Sequence, residues 1–552
     1  MILERLKKDA AERIKSWAAG RGLSAPPAAT FSPAPAHVAA DVSVPWPMPA
    51  AKVLKRKPLD IADELATELG AVAGVEKSEP APPGFVNLRL SRAALMENLA
   101  AILREPSRYG AGIAAKRRSL NIEYVSANPT GPLHVASGRA ATLGDSLIRV
   151  LRRLGHNVAA EYYVNDAGGR AEKLGLSLKA RYEQLHGKDA PVPEDGYHGD
   201  YLKEIAERLP EEAAAWTAER FGRHAIDVLL ETQKADMAAF GVVFDRWFRE
   251  SELYASGAVE KTLAYLRARG MAYDKDGAVW LGTQAVEASD DDKDRVLVKS
   301  TGQPTYFLPD IAYHKDKFDR GFEELIDIWG ADHHGYVPRM KAAIAALGHK
   351  PAAFHALLHQ LVHLFRGNEA VKMSKRSGDF VTLREVVEEV GKDACRFFFA
   401  LRTANSHMNF DLELAKKQTA ENPVYYVQYV HARICSIFQE AEKTLGAGAG
   451  AAERLAGADP ARLATPEERA LLVKLAWFPT ALQQCEAELA PAPLAGYLME
   501  LAGLYHPFYE KCRVVEPKDP ETSRARLAVS GGVRAVIGQG LDLLGVSAPE
   551  KM

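Results

Sequence analysis

The periodicity of apolar and polar residues divides the chain into three regions. In residues 1–115, segments with apolar residues three or four apart are followed by residues 84–90, where every second residue is apolar. Residues 116–403 alternate short apolar segments with amphipathic helical ones, and residues 404–552 show mainly long helical periodicities. We therefore predict an N-terminal α+β domain, a central α/β domain and a C-terminal all-α domain.

The central region has the strand, loop and helix order of a nucleotide-binding unit. We predict a first strand at residues 121–125 and a helix from Val135 through Leu154. A polar stretch at residues 188–200 interrupts the alternation, so we predict an insertion around residues 188–295. Further strands are predicted at Asn157–Val164 and at residues 295–299, 325–329 and 355–364. This order predicts a Rossmann-type parallel sheet in two halves.

The two outer regions contain segments of biased composition. Residues 26–49 are rich in proline and alanine, and proline forbids a continuous helix there. In the C-terminal region a Gly/Ala-rich linker covers residues 446–457. The predicted helices outside the central region end near Trp17 or cover residues 60–69, 423–445, 465–489 and 493–512.

Composition narrows the class of protein. The 552 residues are 47% hydrophobic and 26% charged, which is ordinary for a globular chain of several domains. The four cysteines show no CxxC spacing, which argues against a zinc site or a disulfide framework and favours a reducing compartment. No stretch approaches the roughly 18 apolar residues of a membrane span, and the first helix is amphipathic and charged. We expect a cytoplasmic protein without a membrane partner.

The net charge of −2 neither favours nor excludes a nucleic-acid partner. Nucleic-acid binding depends on local basic patches, because counterions are released at the contacted phosphates. For each basic cluster taken alone, a solvated surface is the favoured interpretation. The candidate clusters are Lys52, Lys55, Arg56 and Lys57; Lys116, Arg117 and Arg118; and Arg149, Arg152 and Arg153.

The loop between the first strand and its helix carries candidate chemistry. Residues 121–139 read N-I-E-Y-V-S-A-N-P-T-G-P-L-H-V-A-S-G-R. A helix start presents unpaired N–H groups and a positive dipole end, which suit phosphate binding, and His134 lies at this start. The carboxylate of Glu123 and the amide of Asn128 are expected to face whatever binds beside the nucleotide.

A second candidate segment is a lysine-rich loop. Residues 371–383 read V-K-M-S-K-R-S-G-D-F-V-T-L. Where negative charge develops during a reaction, a lysine that arrives on a mobile loop stabilises the transition state more than the ground state. Lys372 and Lys375 are the candidates. Taken alone, the segment would be interpreted as a basic turn.

These two segments resemble the HIGH and KMSKS signatures of class I aminoacyl-tRNA synthetases, and specifically of the bacterial arginyl-tRNA synthetases. The resemblance extends over nearly the whole chain and is weakest in the first fifty residues. Further matching segments are Y-Y-V-N-D-A-G-G-R from Tyr162, P-E-D-G-Y from Pro193, W-G-A-D-H-H-G-Y from Trp329, E-N-P-V-Y-Y-V-Q-Y from Glu421 and the terminal G-L-D-L-L-G-V-S-A-P-E-K-M.

The resemblance implies an arginine–tRNA ligase. Its fold would be a Rossmann-type catalytic domain, with an N-terminal domain that grips the tRNA elbow and a helical anticodon-binding domain. Its partners would be ATP with Mg²⁺ carried by the phosphates, L-arginine and tRNA(Arg), and it would be a monomer that generally needs tRNA for the first step. The implied ATP-binding residues are His134, Ser137, Gly138, Lys372, Ser374 and Lys375, of which His134, Lys372 and Lys375 are catalytic. The implied arginine-binding residues are Glu123, Asn128, Tyr306 and Asp310, and the tRNA-binding residues are Tyr425 and Arg433.

An arginine pocket must match a guanidinium. Its five N–H donors suit carboxylates in a fork geometry, and a lysine competitor would leave one acceptor unpaired. Tyr306 and Asp310 provide a phenol and an acid four residues apart at a predicted helix start. For Asp310 the alternative is a carboxylate that only stabilises that helix start.

Asp332-His333-His334 suggests a metal site, which we reject. Adjacent histidines at a strand end point to opposite faces, and no third ligand follows at metal-site spacing. We expect no metal held by the protein.

Tyr425 and Arg433 belong to a stripe of aromatic and basic residues in a predicted C-terminal helix. An aromatic stripe at helical spacing is more often part of the core than a binding surface.

One departure from the family pattern concerns Ala136 and Ser137, where the first signature has glycine and a second histidine. Either activation is intrinsically slow, or another donor supplies the missing stabilisation. We favour compensation, with Arg139 or the lysine loop as candidates.

Two alternatives for the function of the chain stay open: another class I synthetase, and a tRNA-binding relative that no longer activates amino acids. ATP–pyrophosphate exchange with arginine, with and without tRNA, separates them.

Overall fold

The protein is represented by a computed structural model that describes residues 1–23, 25–35, 37–283, 293–371 and 381–552. The described chain contains an N-terminal α+β region, a parallel-sheet region and a C-terminal helical region, which confirms the predicted fold class.

The N-terminal region is a four-stranded antiparallel sheet covered by helices. Its strands lie in the order β1-β2-β4-β3. In β4 every second residue is buried, as the alternating sequence predicts. The elements are α1 (Ile2–Ala19), β1 (Ser32–Pro33), β2 (Val42–Val44), α2 (Pro47–Leu54), α3 (Pro58–Gly70), β3 (Val75–Ala81), β4 (Phe85–Leu90) and α4 (Arg92–Arg104).

The central region begins with the predicted nucleotide-binding unit. The helix α5 runs from Val135 to Leu154, and the second strand covers Asn157–Val164, as predicted. The first elements are β5 (Ser119–Glu123), α5 (Val135–Leu154), β6 (Asn157–Val164), α6 (Gly169–Leu185), α7 (Tyr201–Glu207), α8 (Ala218–Ala239), β7 (Arg246–Arg249), α9 (Glu250–Ala255), α10 (Ala258–Ala268), β8 (Ala272–Lys275), β9 (Ala278–Leu281) and β10 (Arg295–Val298). Then follow α11 (Phe307–Asp319), β11 (Glu324–Gly330), α12 (Val337–Ala346), β12 (Phe354–His359), β13 (Val362–Arg366), β14 (Glu369–Ala370), α13 (Leu383–Val390), α14 (Lys392–Ala400) and β15 (Met408–Asp411).

Five parallel strands form the main sheet in the order β12-β11-β5-β6-β7. The chain passes from β5 to β6 on one side and later returns to β11 on the other, so the strand order reverses between β5 and β11. In open parallel sheets, ligands bind in the crevice at the carboxyl ends of the strands at such a point. Glu123 ends β5 and lies opposite Asp327 of β11.

Three strand assignments differ from the sequence prediction. Arg246–Arg249, within the range predicted as an insertion, is an edge strand of the main sheet. Arg295–Val298 pairs antiparallel with β9 in a separate sheet, so it does not begin the second half of the main sheet. The predicted strand at 355–364 is two strands, of which β13 joins β14 and β15. Apolar runs predict strands, but pairing partners depend on tertiary packing.

The C-terminal region consists of packed helices. The long helical run at 465–489 is two helices that meet at Trp477, because Pro479 lies at the start of the second one. The helices are α15 (Leu412–Lys416), α16 (Pro423–Leu445), α17 (Ala452–Ala456), α18 (Pro466–Ala476), α19 (Phe478–Glu488), α20 (Ala492–Lys511) and α21 (Pro520–Leu543).

The three regions share one continuous apolar core. The N-terminal and C-terminal regions also meet through polar contacts: Arg469 Nη2 donates to the Leu90 carbonyl at 2.9 Å, and the Tyr109 hydroxyl donates to the Leu475 carbonyl at 2.9 Å. The buried Arg396 pairs with Asp145 of α5 and donates to the Leu544 carbonyl near the C-terminus. No helix within the described ranges combines the length and apolar character needed to cross a lipid bilayer.

Candidate active site

The loop between β5 and α5 is held at its backbone. The Tyr162 hydroxyl donates to the Ala127 carbonyl at 3.0 Å. Gln233 Nε2 donates to the carbonyls of Asn128 and Gly131 at 3.1 and 3.0 Å. These donors come from β6 and α8, so the loop is fixed at the crevice by two neighbouring elements.

His134 lies where the sequence predicts, as the N-cap residue of α5 in an extended conformation. It forms a β-bridge with Thr382, and the Leu383 N–H donates to the Leu133 carbonyl at 2.8 Å. The end of the lysine-rich loop is therefore directly beside the start of α5. Lys372, Ser374 and Lys375 themselves lie outside the described residues.

Ser137 and Gly138, both predicted to contact ATP, differ in their surroundings. Ser137 lies half-buried in the first turn of α5. Gly138 is buried, and a Cβ atom there would lie 2.5 Å from Leu383 Cδ1. The space beside Gly138 is thus filled by the protein. Gly138 therefore allows α5 and α13 to approach closely, and its contact with ATP stays a prediction.

Arg139 is not available to replace the missing second histidine. The side chain is fully buried, and its guanidinium donates to the carbonyls of Gln360, Thr403 and Ser406 at 2.9, 2.9 and 2.7 Å. Burial lowers the pKa of Arg139 to about 10, so it remains charged at neutral pH. Arg139 holds chain segments together, and the compensation hypothesis is left with the lysine loop.

Asp310 lies partly buried in the first turn of α11. Burial raises the pKa of its carboxyl group, and the Tyr336 hydroxyl donates to Oδ2 at 2.5 Å. No lysine, arginine or histidine of the described ranges lies within salt-bridge distance of Asp310. Tyr306, at the N-cap of the same helix, is 75% exposed. The two predicted residues are thus together at one helix start.

A second carboxylate, Glu250, lies near Asp310 and was missed by the sequence analysis. Glu250 begins α9 directly after β7 and is buried. Burial, and next the charge of Asp310, raise the pKa of Glu250 to about 7, and the Tyr163 hydroxyl lies beside its carboxylate. The available signal was an acid at the carboxyl end of a strand, but this strand was assigned to the insertion. Two neighbouring carboxylates, one buried and one partly buried, that form no ion pair within the described chain are complementary to a guanidinium.

Glu123 is engaged inside the protein. Its Oε2 accepts from Lys317 Nζ at 2.7 Å, and its Oε1 accepts from the Ser126 hydroxyl at 2.9 Å. Both carboxylate oxygens therefore have protein donors, and the side chain is buried. Each oxygen can accept more than one hydrogen bond, so the binding of arginine by Glu123 stays a prediction.

Asn128 lies exposed at the tip of the loop. Its side-chain oxygen accepts from Arg170 Nη1 at 2.7 Å. This bond orients the amide so that its nitrogen is the group left to donate, which suits a carboxylate or carbonyl oxygen.

Asp332, His333 and His334 lie in a 3-10 turn, Ala331–Tyr336, and not at the end of the strand where the sequence analysis placed them. Across the part of the chain that the structure describes, no group of three or more histidine, cysteine or acidic side chains could hold a metal ion.

The aromatic stripe of α16 lies at the surface and is not core. Tyr425 stacks on Tyr429 with ring centroids 6.0 Å apart. The exposed Arg433 donates to the Tyr429 hydroxyl at 2.8 Å and lies 5.0 Å from the ring of Tyr509. A cavity of about 190 Å³ opens between Tyr429, Arg433 and His506. Tyr425 and Arg433 thus belong to one surface on which unpaired bases could stack.

Each basic cluster has at least one arginine in an ion pair within the protein. Arg149 pairs with Asp145, Arg152 with Asp245, Arg118 with Glu324 and Glu486, and Arg56 with Glu64. Lys116 and Arg117 are exposed. The paired arginines are thus held by acidic neighbours and do not form a free patch for phosphates.

Comparison with known families agrees with this geometry. Residues 98–436 match the family described as tRNA synthetases class I (R), catalytic domain. The crevice and its two signature segments are therefore those of a class I aminoacyl-tRNA synthetase. Residues 4–90 match the arginyl tRNA synthetase N terminal domain, and residues 427–552 match the DALR anticodon binding domain. The chain belongs to the arginyl-tRNA synthetase family.

Named relatives and solved structures cover the whole chain. It is 51% identical over 551 residues to the arginine–tRNA ligase of Elusimicrobium minutum and 41% identical over 563 residues to that of Bacillus subtilis, each covering 100% of both chains. A putative arginyl-tRNA synthetase structure from Campylobacter jejuni is 33% identical, with a TM-score of 0.75, and covers 84% of this chain and 100% of its own. The arginyl-tRNA synthetase of Thermus thermophilus, at 24% identity and a TM-score of 0.80 over 100% of both chains, shares the fold.

Proposed function

We propose that this chain joins L-arginine to tRNA(Arg), and that the crevice between β5 and β11 is where the reaction occurs. ATP and arginine give arginyl-adenylate and pyrophosphate, and the arginyl group then passes to the terminal adenosine of the tRNA. The observation that carries the proposal is the pair of carboxylates Asp310 and Glu250: burial raises the pKa of both, and within the described chain neither forms an ion pair with a lysine, arginine or histidine side chain. A guanidinium supplies the missing positive charge.

The arginine site is formed by residues from three elements. Asp310 and Glu250 accept hydrogen bonds from the guanidinium, while Tyr306 covers it from the exposed side of the pocket. Asn128 donates its amide N–H to the α-carboxylate end of the substrate. A lysine substrate has only one nitrogen to offer, so it leaves one carboxylate unpaired in a buried site.

The ATP site is proposed at the start of α5. His134 and the unpaired N–H groups of the first turn bind the phosphates, Ser137 lies next to them, and Lys372, Ser374 and Lys375 approach from the loop that ends beside His134. The substrate carboxylate is itself the nucleophile, so the protein contributes positioning and charge stabilisation. We propose that Mg²⁺ arrives on the phosphates, since the donor groups of the described chain offer no three-ligand cage.

The tRNA is proposed to lie along the outer regions. The aromatic and basic surface around Tyr425 and Arg433 is suited to unpaired anticodon bases. We assign residues 1–115 to tRNA-elbow binding, 116–403 to catalysis and 404–552 to anticodon binding. We further propose that the protein is a cytoplasmic monomer and that tRNA is needed for arginine activation. Four free cysteines are consistent with a reducing compartment.

The test is ATP–pyrophosphate exchange by the full chain with each amino acid, with and without tRNA(Arg). We expect exchange that depends on arginine and on tRNA. Exchange driven by a different amino acid would favour another class I synthetase, and tRNA binding without exchange would favour a relative that no longer activates amino acids. The variant Asp310→Asn tests the arginine site itself. Asp319→Asn, at the other end of α11, is its matched control, because Asp319 pairs with Lys315 at the surface.

A further inference from the structure

A buried ion cluster lies beneath the proposed arginine pocket. Lys317, fully buried in α11, donates to Glu123 Oε2 at 2.7 Å and to Asp327 Oδ1 at 3.0 Å. His314, one turn earlier, contacts Asp327 Oδ2 at 2.9 Å through Nε2 and the Asp310 carbonyl at 2.7 Å through Nδ1. None of these contacts is required by the proposed chemistry.

Lys317 is the centre of this cluster. The Asp310 carbonyl only accepts, so His314 Nδ1 carries a hydrogen. Burial opposes ionisation of Asp327, but the ion pair with Lys317 helps to hold the pKa of this carboxyl below its usual range. Burial raises the pKa of Glu123, and the charge of Lys317 opposes that rise. One buried ammonium group thus contacts two carboxylates and offsets part of the cost of burying them.

Glu123 of the cluster is hydrogen-bonded to a strained turn formed by Val125 and Ser126. Val125 and Ser126 have φ values of 69° and 39°, a left-handed conformation that is rare for a β-branched residue such as valine. The Ser126 hydroxyl donates to Glu123 at 2.9 Å and accepts from the Tyr163 N–H at 3.1 Å. Such strain persists only where the surroundings impose it, and it concentrates at ligand sites.

Two series of contacts lead from the cluster towards Glu250 and Asp310, the two carboxylates of the pocket. Through Ser126 the cluster reaches the backbone of Tyr163, whose hydroxyl group lies beside Glu250. Through His314 it reaches the backbone of Asp310. Lys317 therefore lies at the centre of one continuous chain of contacts between the elements that carry Glu250 and Asp310.

We propose that Lys317 is a positioning residue for arginine: by holding Glu123 and Asp327 together, it sets the spacing between the Ser126 turn and the first turn of α11, and hence between the two guanidinium acceptors. This inference rests on the arginine pocket proposed above. Lys317 does not touch the substrate. Removing one partner of a buried ion network leaves the other charges uncompensated and destabilises the fold, so geometry and stability have to be measured separately.

The test measures kcat and the KM values for arginine and ATP in tRNA-dependent exchange by the full chain. The thermal midpoint of each variant is measured separately. For Lys317→Met we expect the KM for arginine to rise about tenfold or more while the KM for ATP changes by less than about twofold. Lys315→Met is the matched control: this lysine lies on the same helix, pairs with Asp319 at the surface, and should leave both KM values unchanged. A purely structural defect would lower the active fraction, and so kcat, without separating the two KM values.

Ser126→Ala keeps the test decisive if Lys317→Met does not fold, because it removes only the link at the turn. We expect its KM for arginine to rise about fivefold or more at an unchanged KM for ATP. An arginine KM within about twofold of the parent value, or a parallel rise for both substrates, overturns the inference. Asp310→Asn is measured alongside. If it leaves the KM for arginine unchanged, the pocket assignment fails. If Asp310→Asn raises the KM for arginine but Ser126→Ala does not, only the role of Lys317 is rejected.

Discussion

His134 and Thr382 form a β-bridge, although 248 positions separate them in sequence. His134 begins the helix that follows the first strand, and Thr382 begins the helix that follows the lysine-rich segment. The bridge therefore brings both ends of the proposed ATP site to one place.

Lys375→Ala should slow arginine activation while leaving arginine affinity nearly unchanged. The proposed contact forms mainly as pyrophosphate leaves, and losing such a positioned charge costs about 2.7 to 4 kcal/mol, or roughly a hundred- to a thousandfold in rate. Single-turnover formation of arginyl-adenylate measures it, with the exposed Lys350→Ala as control. A decrease below about fivefold would remove Lys375 from the catalytic residues.

Asp310→Asn and Glu250→Gln should each weaken arginine binding by about 1 to 3 kcal/mol with little change for ATP. Each substitution keeps the shape of the side chain and removes the charge that faces the guanidinium. Calorimetric titration with arginine compares them with Asp319→Asn. Unchanged arginine affinity in Asp310→Asn would reduce Asp310 to a carboxylate that stabilises the start of α11.

Arginine binding should weaken below neutral pH because of Glu250. Burial and the neighbouring Asp310 raise the pKa of Glu250 to about 7, with Asp166 adding to the rise and Arg170 opposing it. Arginine requires the ionised form, so its affinity should be about tenfold lower at pH 6 than at pH 8. Glu250→Gln should flatten this dependence. Titrations across this pH range that show a constant affinity in the parent protein would exclude Glu250 as a ligand.

The raised pKa of Glu250 also predicts how pH affects the stability of the protein without arginine. The pKa of Glu250 is raised from 4.5 to about 7 by folding. The stabilising contribution of its bound proton is therefore complete below about pH 4.5 and is lost as the pH rises through about 7. Thermal melts of the parent protein and of Glu250→Gln, without arginine, should converge at low pH and separate above neutral pH, with the variant the more stable one.

The double change Ala136→Gly with Ser137→His tests whether the altered first signature is impaired. Arg139 is committed to backbone carbonyls, so the lysine loop is the remaining candidate for compensation. We expect activation to rise by less than about tenfold, which corresponds to 1.4 kcal/mol. A larger gain in single-turnover activation would show that the native site lacks a donor.

Arg433→Ala should weaken tRNA binding without changing arginine activation at saturating tRNA. Its guanidinium connects the rings of Tyr429 and Tyr509, and stacking of a base on such a surface is worth about 1 to 3 kcal/mol. Filter binding at several salt concentrations measures the effect. Lys443→Ala, an exposed residue in the last turn of the same helix, serves as the control, and equal effects of the two variants would point to nonspecific charge.

Local sequence determined the elements and the chemistry that depends on neighbouring residues. Val135–Leu154 and Asn157–Val164 were predicted with the observed bounds, because their apolar periodicity spans complete elements with turn residues at both ends. His134 at a helix start and Tyr306 with Asp310 at another follow from the same logic. Helix starts are local features, so local sequence identifies them.

Tertiary structure decided which of these groups meet and which are free. The sequence showed the acids Glu123 and Glu250, but only the fold pairs Glu123 with Lys317 across 194 positions and leaves Glu250 beside Asp310 without a cation. It likewise buries Arg139 and Gly138 while exposing the stripe that contains Tyr425. A side chain's charge and hydrogen-bonding capacity belong to its residue type, whereas its partners and its contact with water depend on packing between distant segments, which periodicity does not encode.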